Sequence, residues 1–156
     1  MFGFKEQLQY GLAGERIFID TYPELFTPYE GSNASDVLYK GVIPGEIKTD
    51  SYDMNKTPNF FMERYSVDFK RNSGGPWQAL EKGSKFFIYH FEQQGLFFLF
   101  NDVSKLVERL EGLVNEHGLG VIKVPNKHYN TLGYKIRREW LEDLYIRPIQ
   151  LGEPIE

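Results

Sequence analysis

The sequence predicts an α/β protein in which a mixed sheet is covered by helices. Three observations carry that reading. The runs Phe86–Phe91 and Leu96–Phe100 are apolar with little alternation, the pattern of strands covered on both faces. Val103, Leu106, Val107, Leu110 and Leu113 recur at helical spacing between a capping Asn101 or Asp102 and a stopping Gly118, which predicts a helix over 103–117. The stretch after Ser35 alternates short apolar runs with a turn bearing Gly and Pro, as hairpins do. At 156 residues the chain suits a single domain, 1–156, with a core of its own.

The elements follow in order. Phe4, Leu8, Leu12, Ile17 and Ile19 supply an apolar stripe for a helix over 4–20, which Pro23 helps to end. Residues 24–34, with Pro28, Gly31, Ser32 and Asn33, read as a loop. Strands are expected at 36–40 and 43–49, then a polar loop, then a third strand at 60–67. Lys70–Pro76 is a basic, glycine-bearing turn into a helix over 77–82, with Pro76 suited to the first turn. Strands at 85–91 and 96–100 form the centre of the sheet. After the helix over 103–117 come a strand at 119–124, a loop at 125–133 and a short strand at 134–138 with Lys135 and Arg137 on one face. The tail, 152–156, is expected to be loose.

Composition narrows the function. With no cysteine there is no disulfide framework, zinc-thiolate site or cysteine nucleophile, and the chain suits a reducing compartment. The first residues lack a long apolar run, and the most apolar stretch, 86–100, is interrupted by Glu92–Gly95. A soluble, cytoplasmic protein with no membrane partner is the expectation. His90, His117 and His128 are scattered, without paired metal-ligand spacing, and no GxSxG elbow or GxxxxGK[ST] loop is present. The net charge of −4 speaks mildly against a nucleic-acid partner, but charge is local. No acidic residue falls between His117 and Arg138, where Lys123, Lys127, Lys135, Arg137 and Arg138 gather.

Chemistry concentrates in the hairpin. Asp36 and Glu46 stand ten positions apart, and Lys48 follows Glu46 at i+2. On a strand Glu46 and Lys48 share a face while Ile47 points the other way; if Asp36 lies on the neighbouring strand, three polar groups converge. Two hard oxygen donors suit Mg²⁺ or Mn²⁺, and an ammonium beside them can hold a water or stabilise charge on phosphate.

Asp36 followed by Glu46-Ile47-Lys48 resembles the PD-(D/E)xK nuclease superfamily, although Ser35 stands where that pattern has its usual proline. The element order over 4–91 is similar to the superfamily's αβββαβ core, which the C-terminal helix and strands would extend. The resemblance implies a Mg²⁺- or Mn²⁺-dependent deoxyribonuclease with Asp36, Glu46 and the Ile47 backbone carbonyl as metal ligands and Lys48 as the catalytic lysine. It further implies a first-helix glutamate completing the site, for which Glu15 is the best-placed match, and a polar residue on the helix after the ExK strand, here Gln78. Asn59 and Glu63 could face the site from the third strand. Compactness and spacing are similar to phage-type and archaeal junction resolvases, which act as homodimers, and to small phage nucleases. DNA would be held by Lys70, Arg71, Lys123, Lys127, Lys135, Arg137 and Arg138. The alternative from another class is a catalytically silent nuclease-like module that binds nucleic acid or a protein.

Overall fold

The structure, a computed structural model, describes residues 14–29 and 36–155, with Asp36 by its backbone. The described part of the first predicted helix, α1, covers 14–21. There follow β1 (Phe26–Pro28), β2 (Asp36–Tyr39), β3 (Ile43–Asp50), β4 (Phe60–Val67), β5 (Asn72–Ser73), α2 (Gly75–Glu81), β6 (Phe86–Phe91) and β7 (Leu96–Phe100). The chain then forms α3 (Val103–His117), β8 (Ile122–Pro125), β9 (Asn130–Ile136), a 3₁₀ turn over Arg138–Leu144 and β10 (Ile149–Gln150).

The α/β class and the mixed central sheet are as expected. Six strands run in the order β1-β2-β3-β6-β7-β10, and β3 and β6 are parallel while every other neighbouring pair is antiparallel. A second sheet, β5-β4-β9-β8, is antiparallel throughout. The two apolar runs β6 and β7 lie within the central sheet. Its back face, with Ile47, Phe86, Ile88 and Phe97, packs under Phe18 of α1. Its front face, with Phe87, Tyr89, Phe91, Phe98 and Phe100, packs under β4, α2 and α3. Phe60 is wholly buried there and meets the Tyr89 ring at 4.9 Å and the Phe98 ring at 5.0 Å, both edge-on. Burial of such a side chain contributes about 1.5–3 kcal/mol, and each well-placed aromatic pair adds about 0.5–1.5 kcal/mol.

α3 has the predicted bounds. Asp102 caps it by accepting from the Lys105 N–H at 3.0 Å, and Gly118 ends it in the left-handed region at φ 59°.

Several elements differ from the sequence reading. The third strand of the expected core, β4, leaves the central sheet and pairs with β9 and β5. The reason is that β3 already has a partner on each edge, β2 and β6, so β4 crosses the front face and buries Phe60 and Met62 on it. Gly133, read as part of a loop, lies inside β9; a Cβ there would come within 2.5 Å of the Phe61 ring, so the glycine serves a close approach. The loop before it shrinks to a hairpin closed by the Asn126 N–H on the Tyr129 carbonyl, 2.8 Å. The tail is tied down: the Tyr22 hydroxyl donates to the Glu153 carbonyl at 2.7 Å and accepts from the Gly152 N–H at 2.9 Å. Short β1, β5 and β10 carry too few residues for a periodic signal. Among the described residues no helix is long and apolar enough to cross a membrane.

Candidate active site

The hairpin of β2 and β3 is built by its turn. Tyr39 pairs with Ile43, and the connection passes through Lys40 at φ 54° and Gly41 at φ 76°. From that pair the register runs through Leu38↔Pro44 and Val37↔Gly45 to the rung Asp36↔Glu46. Directly opposed residues of an antiparallel pair share a face, so the two acidic positions are neighbours on the front of the sheet. Lys48 joins them by the period of two. The expected grouping of Asp36, Glu46 and Lys48 is therefore the arrangement of the backbone.

Glu46 is buried, 8% exposed, and its Oε1 lies 3.2 Å from Nζ of Lys82 at the C-terminal cap of α2. Lys48 is half-buried opposite Tyr89 of β6, and among the described residues its ammonium makes no hydrogen bond or ion pair. One step further along the same face stands Asp50, also buried. Its Oδ2 accepts from the Tyr89 hydroxyl, and its Oδ1 accepts from the Tyr52 N–H at 2.9 Å. The Tyr89 oxygen in turn accepts from the Phe61 N–H at 2.9 Å. Burial first, and then the Asp50 charge, push the Tyr89 phenol well above its usual pKa, so it remains a donor.

The other predicted site residues fall in different places. Gln78 is half-buried on α2, one turn before Lys82 and so on the same helical face that meets β3. Ile47 lies one residue past the last β2 rung, in register with Ile88 of β6, with its side chain in the back core. Glu15 is buried on α1, but α1 covers the back face: Gly14 abuts Thr49 and Phe18 packs on His90. Glu63 pairs across from Gly133 and its carboxylate lies against Gly74, with the Ser66 hydroxyl donating to it at 3.4 Å. Asn59 is half-buried at the start of β4.

The basic residues belong to the second sheet and its turns, and they do not form one stripe. Lys70, Arg71, Lys123, Lys127, Lys135 and Arg137 are exposed. Lys123 shares a face with Leu132, whereas Lys135 alternates to the opposite one. The strand expected to align Lys135 with Arg137 ends at Ile136. Arg138 turns inward over the Phe98 ring at 5.8 Å, with Nη1 3.6 Å from the Met54 sulfur.

Lys82, Asp50 and Tyr89 were not singled out in the sequence. Asp50 was legible, since the alternation through Glu46 and Lys48 reaches it next. Lys82 had only its position four residues after Gln78 as a signal.

The donor chemistry fits a small hard cation. The Asp36↔Glu46 rung sets two acidic residues at opposed backbone positions, and a Mg²⁺-type ion held by two carboxylates would keep several waters as its remaining ligands. Among the described residues no group of three His, Cys, Asp or Glu side chains is placed to hold a metal ion. Comparison with family models, with curated proteins and with solved structures returns no match to this chain.

Proposed function

We propose that this chain is a Mg²⁺- or Mn²⁺-dependent nuclease that hydrolyses phosphodiester bonds in DNA. The observation that carries the reading is the Asp36↔Glu46 rung with Lys48 next on the same face. Asp36 and Glu46 would hold the cation, which supplies charge stabilisation and an activated water when bound. Lys48 has no competing partner among the described residues, so its ammonium is available to orient the attacking water or to stabilise a nonbridging phosphate oxygen. Gln78, on the helix face turned to β3, suits a hydrogen bond to the scissile strand. Exposed Lys70, Arg71, Lys123, Lys127, Lys135 and Arg137 supply phosphate contacts from the second sheet, which carry affinity and no sequence information. Arg138 contributes by packing rather than by contact with DNA.

The test is single-turnover cleavage of supercoiled, linear and branched DNA at saturating protein. Lys48→Ala should cut roughly a hundredfold more slowly, the scale of a lost general acid-base or electrostatic group, while metal binding stays close to wild type. Undiminished cutting in EDTA sinks the metal-dependent reading, and wild-type rates for Lys48→Ala remove the lysine from it. Metal binding with no cutting of any substrate favours the silent binding module.

A further inference from the structure

The Glu46 carboxylate is almost wholly removed from water and stands beside a second acidic position on the next strand. A buried anion is costly unless a cation neutralises it. In this fold an ammonium lies on the carboxylate, that of Lys82 at 3.2 Å. We propose that Lys82 is a built-in counter-ion for the site: it neutralises Glu46 while no divalent cation is bound, and a metal ion must displace it to bind. The inference rests on the metal-dependent reading above and deepens it.

The base of Lys82 is fixed, and its charge sits at the end of a flexible stem. Pro76, Trp77 and Ala79 bury α2 in the front core, and the Ser73 hydroxyl donates to Glu81 at 2.6 Å one residue before the cap. The Lys82 N–H itself bonds the Gln78 carbonyl at 3.0 Å. Beyond the backbone run four methylenes and a point charge, with 18% of the side chain exposed. An ammonium holds a carboxylate without the two-point grip of a guanidinium, so exchange for Mg²⁺ breaks no bidentate fork. The negative end of α2 keeps the released ammonium near the site.

The experiment compares wild type, Lys82→Met and Lys82→Arg by Mn²⁺ calorimetry and by thermal melting, without DNA. Lys82→Met should bind Mn²⁺ roughly tenfold more tightly, as for a site freed from a state that leaves it competent about a tenth of the time. Without metal Lys82→Met should melt below wild type, and metal should raise its Tm by more than it raises that of wild type. Lys82→Arg keeps the charge and should bind no more tightly than wild type. If Lys82→Met does not fold, Lys82→Gln is judged by the same comparison. Equal or weaker Mn²⁺ binding by the neutral variant, with wild type binding normally, overturns the proposal and leaves the nuclease reading standing. Wild type that binds no Mn²⁺ overturns both.

Discussion

β3 carries two buried carboxylates on one face, four residues apart, and the protein neutralises them in opposite ways. At Asp50 the partners are neutral and fixed: a tyrosine hydroxyl from the middle of β6 and the backbone N–H of Tyr52. Tyr89 is wedged among Phe60, Phe91 and their neighbours and is held from above by the Phe61 N–H. At Glu46 one partner is a charge on a flexible stem at a helix end, the Lys82 ammonium. A carboxylate bound by rigid neutral donors is a joint between strands, here tying β3 and β6 to the start of β4. One held by a movable cation is suited to exchanging it. Burial alone does not distinguish these two acids; the chemistry of their partners does.

That contrast can be broken most directly by removing each partner chemistry in turn. Tyr89→Phe leaves the Asp50 oxygen and the Phe61 N–H buried without their shared hydroxyl, and should lower the unfolding free energy by about 2–3 kcal/mol. Metal binding should be unchanged. Glu46→Gln, whose amide oxygen still accepts from Lys82, should cost about 1 kcal/mol and yet abolish measurable metal binding. Urea denaturation paired with Mn²⁺ calorimetry on both variants reads both quantities; a Tyr89→Phe that is as stable as wild type dissolves the distinction.

A third buried ionisable group sharpens the comparison, because among the described residues its ring has no hydrogen-bond partner. His90 lies on the back face beneath Phe18, and neither ring nitrogen has a hydrogen-bond partner among the described residues. Burial lowers its pKa, only partly offset by the Glu92 charge. The unfolded chain therefore takes up a proton that the folded chain resists. The stability that depends on a neutral His90 is complete above the unfolded histidine value of about 6.5, and it is lost as pH falls from there through the lower folded value. Denaturation midpoints at about pH 7.5 and about pH 5 should differ less for His90→Leu than for wild type. Equal slopes would show that His90 does not carry the acid sensitivity.

The smallest effect belongs to the exposed counterpart, the Arg109–Asp143 fork between α3 and the 3₁₀ turn, with N–O distances of 2.7 and 2.6 Å. The guanidinium holds the Asp143 carboxyl down to about 2, so its contribution is present above the ordinary carboxylate range and disappears as pH falls through that value. An NMR titration should find Asp143 near there, and Arg109→Ala should return it to the ordinary range while hardly moving the thermal midpoint, since water and salt screen the pair.

Local pattern determined much of this protein. The spacing in α3, its Asp102 cap and Gly118 stop, the apolar β6 and β7, and the period of two through Glu46 and Lys48 are properties of short stretches, and hydrophobic periodicity and turn chemistry are read over such stretches. The two strands of the hairpin followed from the same grammar, and their pairing set the register that makes Asp36↔Glu46 a rung. Tertiary structure decided what lies far apart in sequence. β4 went to a second sheet because both edges of β3 were taken, and Gly133 became a strand residue because the Phe61 ring needed its missing Cβ. The clustered basic residues of 117–138 were divided between two faces by strand alternation and by the inward turn of Arg138. Lys82 reached Glu46, and Tyr89 reached Asp50, only when α2 and β6 had packed against β3. A partner's identity depends on three-dimensional register between elements some forty residues apart in the chain, and no local period encodes that.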